Sequence, residues 1–306
     1  MRLVVQNDKI RTRRLRRATA IRAGIAVLTV AAIASGCTRG EDEAPPPLKA
    51  PPARALDGYA AKLRADHAAL VAAAQRWGLK ETPLRPPRPP AKKPTITTRV
   101  GFEVDEHEEQ GLPPVFTTIP TDQKVVFLTI DDGAEKDPAF LRMMTDLRIP
   151  YTAFLSDYLI KENYRYFEQM QARGVVLNNH TLNHPYLPGL SYTDQKREIC
   201  GMQDVIEERY GTRPLLFRPP YGNYNSDTLR AAKDCGIKYV PLWNEEVFVD
   251  HWDYREWDRD IHPGDIVLSH FRGTDDWAGG MPDMIRVFLD KITAKGYAVG
   301  RLEDYL

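Results

Sequence analysis

Long apolar runs are missing from this 306-residue chain, cysteine is scarce with three residues in all, and neither sign of charge is in excess, with 42 basic and 42 acidic side chains. The apolar stretch near the N-terminus, "AGIAVLTVAAIAS" at 23–35, has 13 residues, short of the ~20 an ordinary membrane-spanning helix needs. The charge is unevenly placed. Residues 1–22 hold eight basic residues (Arg2, Lys9, Arg11, Arg13, Arg14, Arg16, Arg17, Arg22) and one acid, Asp8, which leaves 34 basic and 41 acidic residues and a net charge of −7 on the remainder. A nucleic-acid binder carries a basic patch on its folded part, so no nucleic-acid partner is expected. No internal repeat is evident.

What is present begins with that N-terminus. A basic region, a short apolar core and small residues before a break describe a secretory signal peptide, here over residues 1–36. The following "ASGC" resembles the lipobox of bacterial lipoproteins, with Ala34 where that motif usually has Leu. The resemblance implies lipidation of Cys37 and a membrane anchor for an exported protein; plain secretion with cleavage near Gly36 is the alternative. "TRRLRR" resembles a twin-arginine signal imperfectly. The two remaining cysteines, Cys200 and Cys235, are an even pair in an oxidising compartment. A disulfide and two buried free thiols both stay open.

Proline, by contrast, is plentiful and clustered: 11 of the 24 lie between Pro45 and Pro94. Such runs are extended, semi-rigid spacers, so residues 37–95 read as a linker. Within it, Leu56, Tyr59, Leu63, Leu70, Ala74 and Trp77 suggest one face of an amphipathic helix over about 56–77, packed on the main domain or on itself. Residues 96–119 form an irregular lead-in, whose "EVDEHEEQ" is a solvated acidic loop with His107 a poor ligand candidate. From 120 to 306 the apolar runs "KVVFLTI", "YTAFL", "GVVLNN", "PLLFR", "KYVPLW" and "DIVLSHF" alternate with helical stretches at 138–148, 193–210, 227–235 and 282–295. That alternation predicts a parallel sheet, open or closed into a barrel. Asp131, Asp132, His180, Arg218 and His270 sit at the ends of those runs, where barrels gather functional residues.

The chemistry-bearing patterns lie there. "TIDDG" ends a strand in two carboxylates that regular alternation would send apart, and Gly133 allows a turn. "NNHTLNHP" carries His180 and His184, whose i, i+4 spacing places them on one face of a helical turn within reach of one metal. With a carboxylate from another strand end they make a two-histidine, one-carboxylate set that leaves positions free for water and substrate. "FRPPYG" directs Arg218 back to the strand ends, where it can hold a carboxylate ionised. "IVLSH" delivers His270, an acid candidate.

In this order the pieces resemble the polysaccharide deacetylases, carbohydrate esterase family 4 with the NodB-homology domain. "TIDDG" looks like the first motif of that family, "HTLNH" the second, "RPPYG" the third and "VLSH" the fifth, across residues 120–306. The resemblance implies an α/β fold, a distorted (β/α) barrel with about seven strands. It makes Asp131 the general base and Asp132, His180 and His184 ligands of a divalent metal, usually Zn2+, with Co2+, Ni2+ or Mn2+ as alternatives. Arg218 would pair with Asp131, the Tyr221 amide would stabilise an oxyanion, His270 would protonate the leaving amine and Leu268 would line the acetyl pocket, with Trp243 and Trp252 as further walls. The fourth motif departs from the family pattern: in "WNEEVFVDHW", Glu246 or Asp250 would be the acid that tunes His270. The expected activity is N-deacetylation of a cell-envelope or extracellular polysaccharide such as peptidoglycan. An O-acetyl esterase and a silent glycan-binding lipoprotein are the competing readings.

Overall fold

The alternation of apolar runs and helical periodicity carries through to the backbone. The computed structural model describes residues 53–104 and 111–306. In chain order its elements are helix α1 (Ala53–Arg76), strands β1 (Val115–Phe116) and β2 (Val125–Asp132), α2 (Pro138–Leu147), β3 (Thr152–Leu155), α3 (Asp157–Ile160), α4 (Tyr164–Gln171), β4 (Val176–Asn179), α5 (Tyr192–Tyr210), α6 (Ser226–Asp234), β5 (Val240–Pro241), β6 (Glu245–Val247), β7 (Trp252–Tyr254), β8 (Ile266–His270), α7 (Met281–Ala294) and β9 (Ala298–Val299). The signal peptide at 1–36, Cys37, the linker up to residue 52 and His107 lie outside the described residues.

All eight side chains of β2 are buried, as expected of a strand covered on both faces. It pairs in parallel with β3, β8 and β9. The main sheet runs β4–β3–β2–β8–β6–β7, with only β7 antiparallel. Single bridges carry the ring on: Asn179 to Phe217, Leu216 to Tyr239, then β5 against β1, and Thr118 to Asp265 beside β8. The sheet therefore curls into a distorted barrel. "PLLFR", expected as a full strand, contributes only the bridges at Leu216 and Phe217. Pro214, Pro219 and Pro220 surround it, and proline has no N–H to give a ladder.

The helices start and stop on recognisable caps. Asp137 accepts from the Ala139 amide ahead of Pro138, Ser191 caps α5, which ends on Gly211 at φ 74°, and Asn225 and Thr228 form a capping box on α6. Among them α3 and α4 were not expected from the sequence pattern.

Two boundaries differ from the sequence reading. The described residues belong to one compact unit, so the stretch from 53 to 95 is part of the folded body rather than a spacer. Leu70, Ala73 and Ala74 of α1 are buried in the main core, the Trp77 indole donates to Asp146 at 2.9 Å, and Arg148 pairs with Asp66 at 3.0 Å. Of the expected apolar face, Tyr59 and Leu63 are exposed. The described part of the lead-in is likewise structural, since it supplies β1 to the ring.

Cys200 on α5 and Cys235, which caps α6, form a disulfide with Cα atoms 5.0 Å apart. The bond closes a loop across a sequence separation of 35, and a loop of that size restricts the unfolded chain by about 3–4 kcal/mol. Replacing both cysteines with serine is expected to lower Tm by on the order of 10 °C in a domain this large, measured by thermal unfolding with and without reductant. An unchanged Tm would remove the bond from the stability of the α5–α6 layer.

Candidate functional site

The two carboxylates of "TIDDG" share one pocket because the strand does not stay regular. Asp132 has φ 80° and Gly133 follows at 93°, which ends the two-residue alternation. Both aspartates are 2% exposed. His180 Nε2 lies 3.7 Å from Asp131 Oδ2 and 3.6 Å from Asp132 Oδ1. No side chain fits at Gly133, where a Cβ would come 2.6 Å from Ile160 Cγ2.

His180 follows β4. The helical turn expected from its spacing to His184 is absent: the stretch is irregular, with φ 71° at Thr181 and 55° at His184. Polar contacts hold it instead. The Thr181 amide donates to Asn179 Oδ1 at 2.9 Å and the His184 amide to Thr181 Oγ1 at 3.0 Å. Glu198, buried on α5, accepts from the Asn183 backbone amide at 2.9 Å and its side-chain amide at 2.8 Å. The loop so pinned brings His184 Nε2 to 3.4 Å from Asp132 Oδ1.

Arg218 is wholly buried. Its Nη1 donates to Asp131 Oδ1 and Thr129 Oγ1 at 2.8 and 2.9 Å, its Nε to the Pro241 carbonyl at 2.8 Å and its Nη2 to that of Leu242 at 3.3 Å. The guanidinium also stacks 4.4 Å from the Phe154 ring centre. Its own carbonyl lies 2.6 Å from His180 Nδ1; accepting that N–H leaves the Nε2 lone pair free for a metal.

His270 ends β8, directly opposite Asp131 in the ladder. Its Nδ1 is 3.2 Å from Glu246 Oε1. Of the two acids considered for this contact, Asp250 lies elsewhere, exposed and paired with its neighbour His251 at 2.6 Å. Tyr221 sits in a short 3-10 turn with φ 62°, its ring 4.6 Å from that of His184. Leu268 is buried on β8, two residues before His270 and so on the same strand face. Trp243 backs the "RPPYG" loop, with its ring 3.0 Å from where a Cβ on Gly222 would be. Trp252 is not a pocket wall. Its pairing with Val247 places it in the core, stacked on Phe288 of α7 at 6.0 Å and capped by Lys291 at 4.8 Å.

Burial pushes both His180 and His184 down to about 4, so each is a neutral imidazole near pH 7. Burial also raises Asp131 to about 6 against the pull of Arg218 and His270. At Asp132 the nearby His270, His180, His184 and Arg272 outweigh burial and hold the carboxyl below its usual range. Burial lowers His270, but the Glu246 hydrogen bond and the charges of Asp132, Glu246 and Asp131 leave it raised overall.

The donor set fits a divalent cation. Asp132, His180 and His184 bring their ligand atoms to one spot, and Asp132 Oδ1 is buried without any hydrogen-bond partner. An anionic oxygen left so is costly unless a cation meets it. Its other oxygen is held by a residue the sequence reading missed: Arg272 Nη2 reaches Asp132 Oδ2 at 2.6 Å. The visible hint was a cation two residues beyond His270 at the same strand end.

The family model for polysaccharide deacetylase matches residues 118–240. An uncharacterised protein of Streptomyces coelicolor is 41% identical over 203 residues, covering 66% of this chain and 81% of the relative. A peptidoglycan-N-acetylglucosamine deacetylase of Bacillus cereus is 31% identical over 178 residues, covering 51% and 77%. A solved carbohydrate esterase family 4 pseudoenzyme from Bacillus anthracis is 23% identical, with a TM-score of 0.53 over 63% of this chain and 69% of that one; it shares the fold.

Removing one partner of a buried ion pair typically costs about 3–5 kcal/mol. Arg218→Leu is therefore expected to destabilise the protein by that order in urea unfolding, and Asp131→Asn in the same background should recover part of the loss. A cost below about 1 kcal/mol, the range of an exposed pair, would deny Arg218 its central place.

Proposed function

The chain belongs to the polysaccharide deacetylase family, and on that premise we propose that it removes N-acetyl groups from a cell-envelope glycan, with peptidoglycan the nearest candidate, releasing acetate. One observation carries the reading. At the end of β2, Asp132 faces two neutral imidazoles while Asp131 is locked on Arg218, and the adjacent strand delivers His270 opposite Asp131. The Bacillus cereus relative supports the choice of glycan.

Asp132, His180 and His184 are the ligands of a divalent cation, and zinc suits this mix of imidazole and carboxylate best, with cobalt, nickel or manganese able to use the same set. When bound it supplies Lewis acidity at the acetyl carbonyl and makes a nearby water more acidic. Asp131 is the general base: Arg218 holds its Oδ1, which leaves Oδ2 to take the proton of the attacking water. The Tyr221 amide, carried in its left-handed turn, stabilises the negative charge that grows on the carbonyl oxygen. Leu268 receives the acetyl methyl and Trp243 stiffens the loop that carries Tyr221. His270, held on Nδ1 by Glu246, gives its Nε2 proton to the departing sugar nitrogen as the C–N bond breaks. Glu246, rather than Asp250, tunes that acid.

The acid also favours an N-acetyl over an O-acetyl substrate, because an amine leaves only once protonated and an alkoxide depends on protonation less. The basic N-terminus and "ASGC" support export and anchoring through Cys37 to the outer face of the cytoplasmic membrane. Cys37→Ser should then shift the protein from the membrane fraction to the soluble exported one; unchanged membrane retention would rule out the lipid anchor.

Acetate release from purified peptidoglycan, chitooligomers and an O-acetylated xylan distinguishes the readings. Asp131→Asn should abolish release while zinc is retained, and His180→Ala should lose both. Full activity in Asp131→Asn would sink the base assignment, and release from the ester alone would move the reading to an esterase. Silence on every glycan with added zinc would favour a glycan-binding protein. Because Glu246 raises His270, Glu246→Gln should shift the alkaline limb of kcat/KM to lower pH, where the imidazolium is lost sooner. An unmoved limb would free His270 from Glu246.

A further inference from the structure

Consecutive residues of β6 point to opposite faces. Glu246 meets His270; Glu245, beside it, turns to a second cluster. Glu245, His262 and Asp265 bring one ligand atom each within 4.8 Å of one another. Glu245 is wholly buried, and neither of its carboxylate oxygens has a hydrogen-bond partner. Asp265 is 1% exposed. Neutral donors hold it: Asn244 Nδ2 at 2.7 Å and Thr118 Oγ1 at 3.1 Å on Oδ1, and the His262 amide at 2.6 Å on Oδ2. The His262 ring completes the set, with Nδ1 3.3 Å from Asp265 Oδ2 and Nε2 3.1 Å from Asp258 Oδ2.

The nearby cations are committed elsewhere. Arg99 pairs with Glu256 at 2.5 Å, Lys295 with Asp260 at 2.5 Å, and Lys291 Nζ with the Tyr254 hydroxyl. Among the described residues no lysine or arginine forms an ion pair with Glu245 or Asp265. Apart from the His262 ring, no basic side chain among the described residues meets the two buried carboxylates. Ionising both at one spot is strongly unfavourable, so burial, with Asp265 alongside, raises Glu245 to about 10; a bound cation would take the place of that proton among the donors of the set.

We propose that Glu245, Asp265 and His262 form a second divalent cation site, separate from the one at Asp132. Two carboxylate oxygens and one imidazole suit a borderline cation of the zinc–manganese class better than calcium or magnesium, which prefer oxygen alone. The His262 side chain is 43% exposed, which gives the ion a route from solvent. Its role is structural. The ion ties β6 to the segment that leads into β8, the two strands that present Glu246 and His270 to each other. This inference does not depend on the reaction proposed above.

The test uses the full chain carrying His180→Ala and His184→Ala, which removes the first site. The protein is loaded with Zn2+ or Mn2+, dialysed into metal-free buffer and assayed for bound metal by mass spectrometry, with Tm read alongside. One equivalent should remain and should raise Tm. Adding His262→Gln, at a half-exposed position that tolerates change, or Glu245→Gln should lose both the metal and the shift. No retained metal in the parent variant would overturn the proposal and leave Glu245 and Asp265 as a proton-sharing pair. An equivalent that persists in both further variants would overturn it as well.

Discussion

A guanidinium with no access to water holds the strand-end site together. Arg218 bonds Asp131 and Thr129 of β2 and the carbonyls of Pro241 and Leu242, while its backbone amide donates to Asn179 and its carbonyl meets His180. Taking an arginine and an aspartate out of water costs several kcal/mol for each ion. Good geometry and four hydrogen bonds from the guanidinium offset that, and the Phe154 ring adds a face for the charge. One residue thus sets the orientation of the Asp131 carboxylate, the tautomer of His180 and the junction between β2, β4 and the chain around β5.

Around this anchor the backbone is kept in conformations it would not choose. Asp132, Thr181, His184 and Tyr221 all have positive φ, which a side chain with a Cβ enters at a cost of order 1–3 kcal/mol. Each is held by neighbours that leave little choice. Glu198 clamps the loop between the histidines, the two prolines stiffen the turn at Tyr221, and Gly133 and Gly222 give space where Ile160 and Trp243 press in. The α5–α6 disulfide lies two residues from Glu198, so the clamp stands on a braced helix.

Much of this was legible in the sequence. The helices at 138–148, 193–210, 227–235 and 282–295 were placed to within a residue or so, because periodicity and caps agree there. The strand-end positions of Asp131, Asp132, His180, Arg218 and His270 were legible because apolar runs stop abruptly at polar residues. Other features depend on tertiary contacts that a local pattern does not carry. The helical reading of "HTLNH" failed because side-chain bonds to Asn179, Thr181 and Glu198 override a spacing that two different backbones satisfy. Trp252 reads as a pocket aromatic until the β6–β7 hairpin turns it inward. Arg272 and the Glu245 cluster are invisible in one dimension, since each acquires meaning only from a partner far along the chain. The proline-rich stretch after α1 reads as a spacer, yet it lies on the body of the protein, where Leu84 bridges Ala298.

The backbone ladder of β2 has one more effect. Asp131 stands opposite His270 on one side and Phe154 on the other, so the two side chains are aligned by main-chain hydrogen bonds that do not depend on which side chains the neighbouring strand residues carry. A slip of one residue would turn every side chain of a strand to the wrong face, and no halfway arrangement exists. The spacing of Asp131 and His270 is therefore set by strand register rather than by the side chains packed around them. Changes in the loops beyond the strand ends leave this register, and with it the separation of Asp131 and His270, where the ladder sets it.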